Sequence, residues 1–301
     1  MRHGRLRIIT LFLAAPLTLY GVLVASPLIQ AFYISLTSWT GYTSAKPFAG
    51  LANYRRLLHD PAFWQALEHN ALLLVAVPAI TIVLGLLFAS LLNVGARAGS
   101  VEGVRFSSLY QKSFFLPHIL PVVITAVLWQ FLYNPELGLI NSLLDAAGLG
   151  SLKQTWLGDP QVALWSMAAI LVWAGVGFYV ILFSAAMQSI PKDLYEAADL
   201  DGANRLRTML SITLPLLRET VQVAYVYLGI GALDAFTLFQ VLQPDGGPNN
   251  STNVVAQYLY QSAFDNGQFG YASAIGVVLC LLTLVLTAVT FGVSRRERIE
   301  F

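Results

Sequence analysis

Charge is what this chain has least of. Asp, Glu, Lys and Arg make up 11% of its 301 residues, where soluble domains carry about 25%. Apolar residues make up 56% and mean hydropathy is +0.66. A soluble core needs no such excess, so the composition points to an all-α, polytopic membrane protein. Cysteine is nearly absent: one thiol, Cys280, excludes a disulfide within the chain, and its place in an apolar run makes packing its expected role. The four histidines, His3, His59, His69 and His118, show no metal-ligand spacing. The chain has no G-x-x-x-x-G-K loop and no dinucleotide fingerprint, which excludes ATP binding by the usual loop. It also lacks a Ser/His/Asp or metalloprotease pattern, which speaks against an intramembrane enzyme. A net charge of +1 gives no pull toward nucleic acid. The energy for any work this chain does must therefore come from a partner.

What is present is a series of long apolar runs. A spanning helix needs about 20 apolar residues, and six segments qualify: 8–36, 71–92, 114–133, 161–187, 220–242 and 271–293. The first follows Arg2, Arg5 and Arg7, and Val24-Ala25-Ser26 resembles a signal-peptide cleavage region. Its apolar run is longer than such a region needs, and removing it would reverse the charge pattern. That pattern sets the orientation. With the N-terminus inside, Arg2, Arg5, Arg7, Arg97, Arg105, Lys112, Lys192, Arg205, Arg207, Arg218, Arg295, Arg296 and Arg298 are cytoplasmic. Only Lys46, Arg55, Arg56 and Lys153 are outside. Thirteen against four predicts both termini in the cytoplasm of a bacterial cell.

The outer loops carry local signals. Asn53 and Asp60-Pro61 read as two helix starts, and Tyr54 and Trp64 suit a membrane interface. Between 134 and 160, the stretches NPELGLIN and WLGDP predict turns and a short re-entrant helix. Pro244, Gly246-Gly247-Pro248 and the following Asn, Ser and Thr residues mark irregular backbone.

One polar island interrupts the apolar runs. Residues 192–210 hold seven charged residues and must form a surface in water. Pro191 suits a first helical position. Asp193 and Glu196 fall in first turns, where the helix dipole favours carboxylates. Gly202 breaks the run, and a second helix is expected over 204–211. The order is helix, glycine turn, helix.

Glu196-Ala197-Ala198, Gly202 and Ile212-x-Leu214-Pro215 stand at the spacing of the EAA motif, and this segment resembles that of ABC-type importer permeases. The similarity continues through NYRRLLHDPAFWQAL (53–67), FFLPHILP (114–121), LYNPELGLIN (132–141), IPKDLYEAA (190–198) and GGP (246–248), which look like the carbohydrate branch. Within it, the chain is similar to the first permease of maltose and glycerol-phosphate type importers. It departs from the maltose permease in lacking a large outer domain and extra N-terminal helices, and in one additional residue near Pro244-Asp245.

The resemblance implies a type I ABC importer permease fold with a cytoplasmic coupling loop over 188–215. It implies a second permease subunit, an ATPase dimer that binds ATP and Mg, and an extracytoplasmic solute-binding protein that delivers sugar. This chain would bind no cofactor of its own. Glu196 would meet a basic residue of the ATPase, Ala197 and Ala198 would allow close approach, and Gly202 would set the interhelix angle. Leu194, Leu206 and Leu210 would supply apolar contacts. For the substrate path the resemblance points to Trp173, Gly175, Phe178 and Tyr179 on the fourth span. On the fifth it points to Gly231, Ala232, Asp234 and Ala235. Asp234 is the one ionisable residue well inside that span and should face the helix bundle or a wet cavity. The small-residue pairs Ala272/Gly276 and Gly231/Ala235 suit close helix packing. Three other readings remain: the same architecture for glycerol phosphate or a polyamine, a secondary transporter, and an intramembrane enzyme. A secondary transporter would show inverted repeats, and none is evident.

Overall fold

Residues 12–92 and 107–294 are described by the computed structural model. The basic residues Arg2, Arg5, Arg7, Arg97, Arg105, Arg295, Arg296 and Arg298 lie outside them. Among the described residues, four helices are long and apolar enough to cross a membrane: α1 (Phe12–Ser35), α3 (Pro61–Leu92), α7 (Ala163–Gln188) and the last, over Phe269–Thr290. Two bent helix pairs are each apolar enough to form one further span: α4 (Ser107–Ile119) with α5 (Val122–Leu132), and α10 (Arg218–Leu233) with α11 (Phe236–Leu242). Shorter helices complete the chain: α2 (Ala52–Leu58), α6 (Leu139–Ala146), α8 (Lys192–Leu200), α9 (Arg205–Thr208) and α12 (Val255–Tyr260). The last helix, α13, runs Phe269–Ser294.

The chain divides into two compact units. The first comprises residues 1–64 and 258–282. Its loop after α1 carries a single antiparallel bridge, Thr37 to Phe48. Asn53 was expected to start a helix, but α2 already begins at Ala52. The Asn53 amide instead donates to the carbonyls of Ser35 and Thr37, both at 2.8 Å. Asp60 does cap a helix: its Oδ1 accepts the Ala62 N–H at 3.0 Å. Oδ2 accepts from the Tyr258 and Tyr271 hydroxyls, and the Arg56 guanidinium lies 4.1 Å from the centre of the Tyr271 ring. Burial pushes the Asp60 carboxyl up, but the two tyrosine hydroxyls and the Ala62 and Phe63 N–H groups outweigh it and hold the group below its ordinary value. Burial, then the Asp60 carboxylate, pushes Tyr258 up to about 12.

The second unit comprises residues 65–257 and 283–301. Leu73, Val77, Met167, Ile170, Ala232 and Phe239 belong to one core cluster. Ile82, Leu86, Phe183, Met187, Leu217 and Ala224 belong to another. The second span starts at Pro61, ten residues before the expected 71, which places Asn70 inside a helix. Asn70 is fully buried. Its amide donates to the Ala232 carbonyl at 2.9 Å and its oxygen accepts the Val255 N–H at 2.7 Å. The Ala232 carbonyl is one of those that the break in the fifth span leaves without a helical partner, so a side chain from α3 satisfies it.

Both breaks have local causes. Leu120 precedes Pro121, and a residue before proline is disfavoured in helical conformation. Helix α4 therefore stops at Ile119 and α5 leaves at 104°. This replaces the single run expected over 114–133. In the fifth span no proline is involved. Ala235 has φ −73 and ψ 50, and the Phe236 N–H reaches the Asp234 carbonyl at 2.7 Å, the geometry of an inverse γ-turn. The two halves meet at 41°.

Candidate functional site

The polar island folds as the helix, turn and helix expected from its sequence. Helix α8 starts one residue later than Pro191 alone predicts, with Pro191 as its extended N-cap. At the other end the Ala203 N–H returns to the Ala198 carbonyl at 2.9 Å and the Gly202 N–H to the Asp199 carbonyl at 3.1 Å. Gly202 sits at φ +70. These two bonds around a left-handed glycine form a Schellman motif. Asn204 then caps α9, its Oδ1 accepting the Arg207 N–H at 2.9 Å. A π-type turn, Met209–Thr213, leads to Pro215 in the short turn Leu214–Leu216. The Tyr195 and Thr213 hydroxyls meet at 3.2 Å, tying α8 to this return.

Burial divides the motif residues. Ala198 is buried and supplies the carbonyl that closes the turn. Glu196, Ala197, Gly202 and Pro215 are exposed, while Ile212 and Leu214 are half-buried. Leu194, Leu206 and Leu210 are exposed, and Leu200 is 90% exposed. Leu200 escaped the sequence reading because it stands among aspartates next to the turn. Exposed leucines on an otherwise charged segment mark a surface that a partner covers.

The candidate substrate-path residues fall into different surroundings. Trp173 and Phe178 are five residues apart, so on a helix they point about 140° away from each other. Trp173 packs edge-on against Trp129 at 5.4 Å. It also lines an apolar groove of about 490 Å³ with Phe88, Phe114 and Trp165. Phe178 is 38% exposed and stacks on His118. Tyr179 is buried beside Phe183. The space around Gly175 is met by Thr81 and Leu228. Ala232 and Ala235 are core residues, whereas Gly231 faces open space. The Gly231/Ala235 pair therefore makes no continuous small face, because the break lies between its members. Ala272 is buried and Gly276 faces Leu259. Asp234 caps the end of α10 and is exposed.

A charged helix–turn–helix between two apolar helices is the arrangement expected of the membrane-embedded subunit of a transporter. Residues 94–299 match the binding-protein-dependent transport system inner membrane component family, and the chain belongs to it. It is 42% identical to the diacetylchitobiose uptake system permease protein NgcF of Streptomyces coelicolor, over 94% of this chain and 81% of that one. It is 33% identical to the trehalose/maltose transport system permease protein MalF of Thermococcus litoralis, over 94% and 92%. Its fold matches a chain of a bacterial alginate ABC transporter crystallised with an alginate pentasaccharide-bound periplasmic protein. That match has a TM-score of 0.79 and 23% identity, covering 97% of this chain and 96% of the other. The protein is thus a multi-pass permease subunit of a transport complex and not an enzyme.

Proposed function

We propose that this chain carries a sugar or oligosaccharide across the cytoplasmic membrane as one of two permease subunits of an ATP-driven importer. The observation that carries the reading is the exposed EAA segment, with Glu196, Ala197 and Leu200 displayed on one side of a closed glycine turn. The ATPase dimer, holding ATP and Mg, docks on this segment, and Ala198 and Pro215 keep its shape. Relatives named for uptake of diacetylchitobiose and of trehalose and maltose support a saccharide solute over glycerol phosphate. An extracytoplasmic binding protein delivers it. The second permease covers apolar surface that this chain leaves bare along α1, where Phe12, Leu17, Leu23 and Ile29 are exposed. Both termini are cytoplasmic, as the thirteen-to-four distribution of Lys and Arg implies.

The experiment is to purify the tagged chain from its native membrane, identify the chains that come with it and reconstitute the complex with its binding protein. Uptake of N,N′-diacetylchitobiose or maltose that needs internal ATP is expected. A chain that purifies alone and transports without ATP would sink the reading.

A further inference from the structure

A hollow of about 630 Å³ opens against α2, lined by Ala52, Arg55, Arg56, His59, Asp60 and Tyr258. All of these belong to the first compact unit. Positions 52, 55, 56 and 59 stand three or four residues apart, so the helix brings them to one face. Arg55 and Arg56 are exposed, and among the described residues neither guanidinium forms an ion pair or a hydrogen bond. Arg56 is nonetheless held in place, because its guanidinium lies 4.1 Å from the centre of the Tyr271 ring, a contact that draws on its charge. Asp60 is the one carboxylate in the lining, and both its oxygens are occupied: Oδ1 by the Ala62 N–H, Oδ2 by the Tyr258 and Tyr271 hydroxyls. Two guanidiniums against one engaged carboxylate leave the hollow with an excess of positive charge and with N–H donors unused.

We propose that Arg55 and Arg56 bind a phosphate group in this hollow, and that an anionic phospholipid carries it. A guanidinium keeps its charge and presents its donors as a planar fork that meets two phosphate oxygens at once. The neighbours of the arginines argue for a lipid over a dissolved ion. Leu51 and Leu58 are both exposed, and they stand four residues before Arg55 and three after it, on one side of α2. Trp64 is exposed as well, and its indole N–H donates to the Leu58 carbonyl at 3.0 Å. Cationic heads flanked by apolar side chains and an indole are how a short helix meets lipid. A free phosphate ion would engage the arginines and leave the leucines bare.

The test uses the whole transport complex, purified in detergent and titrated with phosphatidylglycerol or phosphatidylcholine, with bound lipid counted by native mass spectrometry. Wild type is expected to hold phosphatidylglycerol more tightly than phosphatidylcholine. The double variant Arg55→Gln, Arg56→Gln is expected to weaken the first bound phosphatidylglycerol about tenfold and to leave phosphatidylcholine unchanged. Arg56→Gln also removes the contact with Tyr271 and could loosen the fold, so Arg55→Gln is measured alone. Its side chain has no partner to lose, and it is expected to weaken phosphatidylglycerol about threefold with the melting temperature unchanged. Lys153→Gln, a cation outside the hollow, is expected to bind both lipids as wild type does. Inorganic phosphate is titrated separately into the lipid-depleted complex. Phosphate binding that the double variant loses, without any preference for phosphatidylglycerol, would keep the phosphate site and overturn the lipid as its source. Equal binding of both lipids and no binding of phosphate overturns the proposal, as does a phosphatidylglycerol preference that both arginine variants retain. Loss of the extracytoplasmic binding protein from the double variant, with lipid binding as in wild type, would assign the arginines to a protein contact and overturn it too.

Discussion

The main-chain carbonyl of Phe114 occupies the space that a β-carbon on Gly177 would need. Backbone cannot swing aside as a side chain can. Gly177→Ala must therefore push α4 away from α7, an overpacking that costs about 1–3 kcal/mol. Gly231→Ala is the control, since nothing stands within 4 Å of its β-carbon and alanine favours a helix. Thermal unfolding of the purified complex should fall for the first and hold or rise for the second. Equal melting temperatures would mean the close approach is absent.

Asn70 uses both ends of its amide inside the protein. Asn70→Leu keeps the volume but strands the Ala232 carbonyl and the Val255 N–H. Each buried group left without a partner costs about 1–3 kcal/mol. The variant should lose the complex early in a detergent-stability series, while wild-type retention would show that water replaces the amide.

The Asp60 cluster predicts a pH dependence with two limbs. Asp60 titrates below its ordinary 3.8, so the stability it adds is full above that pH and is lost as pH falls through the lower folded value. Tyr258 is raised from 10.0 to about 12, so its contribution is full below 10.0 and is lost as pH climbs toward 12. Melting temperature should be flat between these limbs, and Asp60→Asn should lower the plateau and abolish most of the acid limb. An unchanged acid limb in Asp60→Asn would assign that limb to other carboxylates.

At Gly202 a β-carbon meets nothing within 4 Å, so the demand for glycine is one of backbone sign alone. Asparagine tolerates a left-handed φ and valine does not. Gly202→Asn should keep sugar-stimulated ATP hydrolysis within about threefold of wild type, and Gly202→Val should lose it, by roughly the 1–2 kcal/mol that left-handed backbone costs a residue with a β-carbon. Leu200→Glu and Glu196→Lys leave the turn intact and should reduce the ATPase retained on purification. Full coupling in Gly202→Val would show that the turn is not needed.

The helix–glycine–helix segment was legible in the sequence because a proline entry and a left-handed glycine act locally, although Asn204 proves to be the cap of the second helix and not its first residue. The six apolar runs were legible for the same reason. The two bends were not. Hydropathy counts apolar side chains and is blind to backbone direction, although Leu120-Pro121 carried a signal for the first bend. Asn53 and Asn70 misled or escaped because an amide at a helix edge reads as a cap or loop residue. The carbonyls that these two reach are long-range, at Ser35, Thr37 and Ala232. Trp173 and Phe178 look like one aromatic patch in the one-letter string and part company only when wound onto a helix.

The Schellman closure between Ala198 and Ala203 is made wholly of short-range bonds within this chain. The segment therefore does not wait for another protein to acquire its angle. In the proposed docking on an ATPase, a segment closed beforehand loses little conformational freedom on contact, so more of the attraction between the surfaces remains as affinity. A displacement applied at Glu196 would then pass through these bonded turns toward the fourth and fifth spans and not into a slack tether, which is what a loop that carries mechanical work requires.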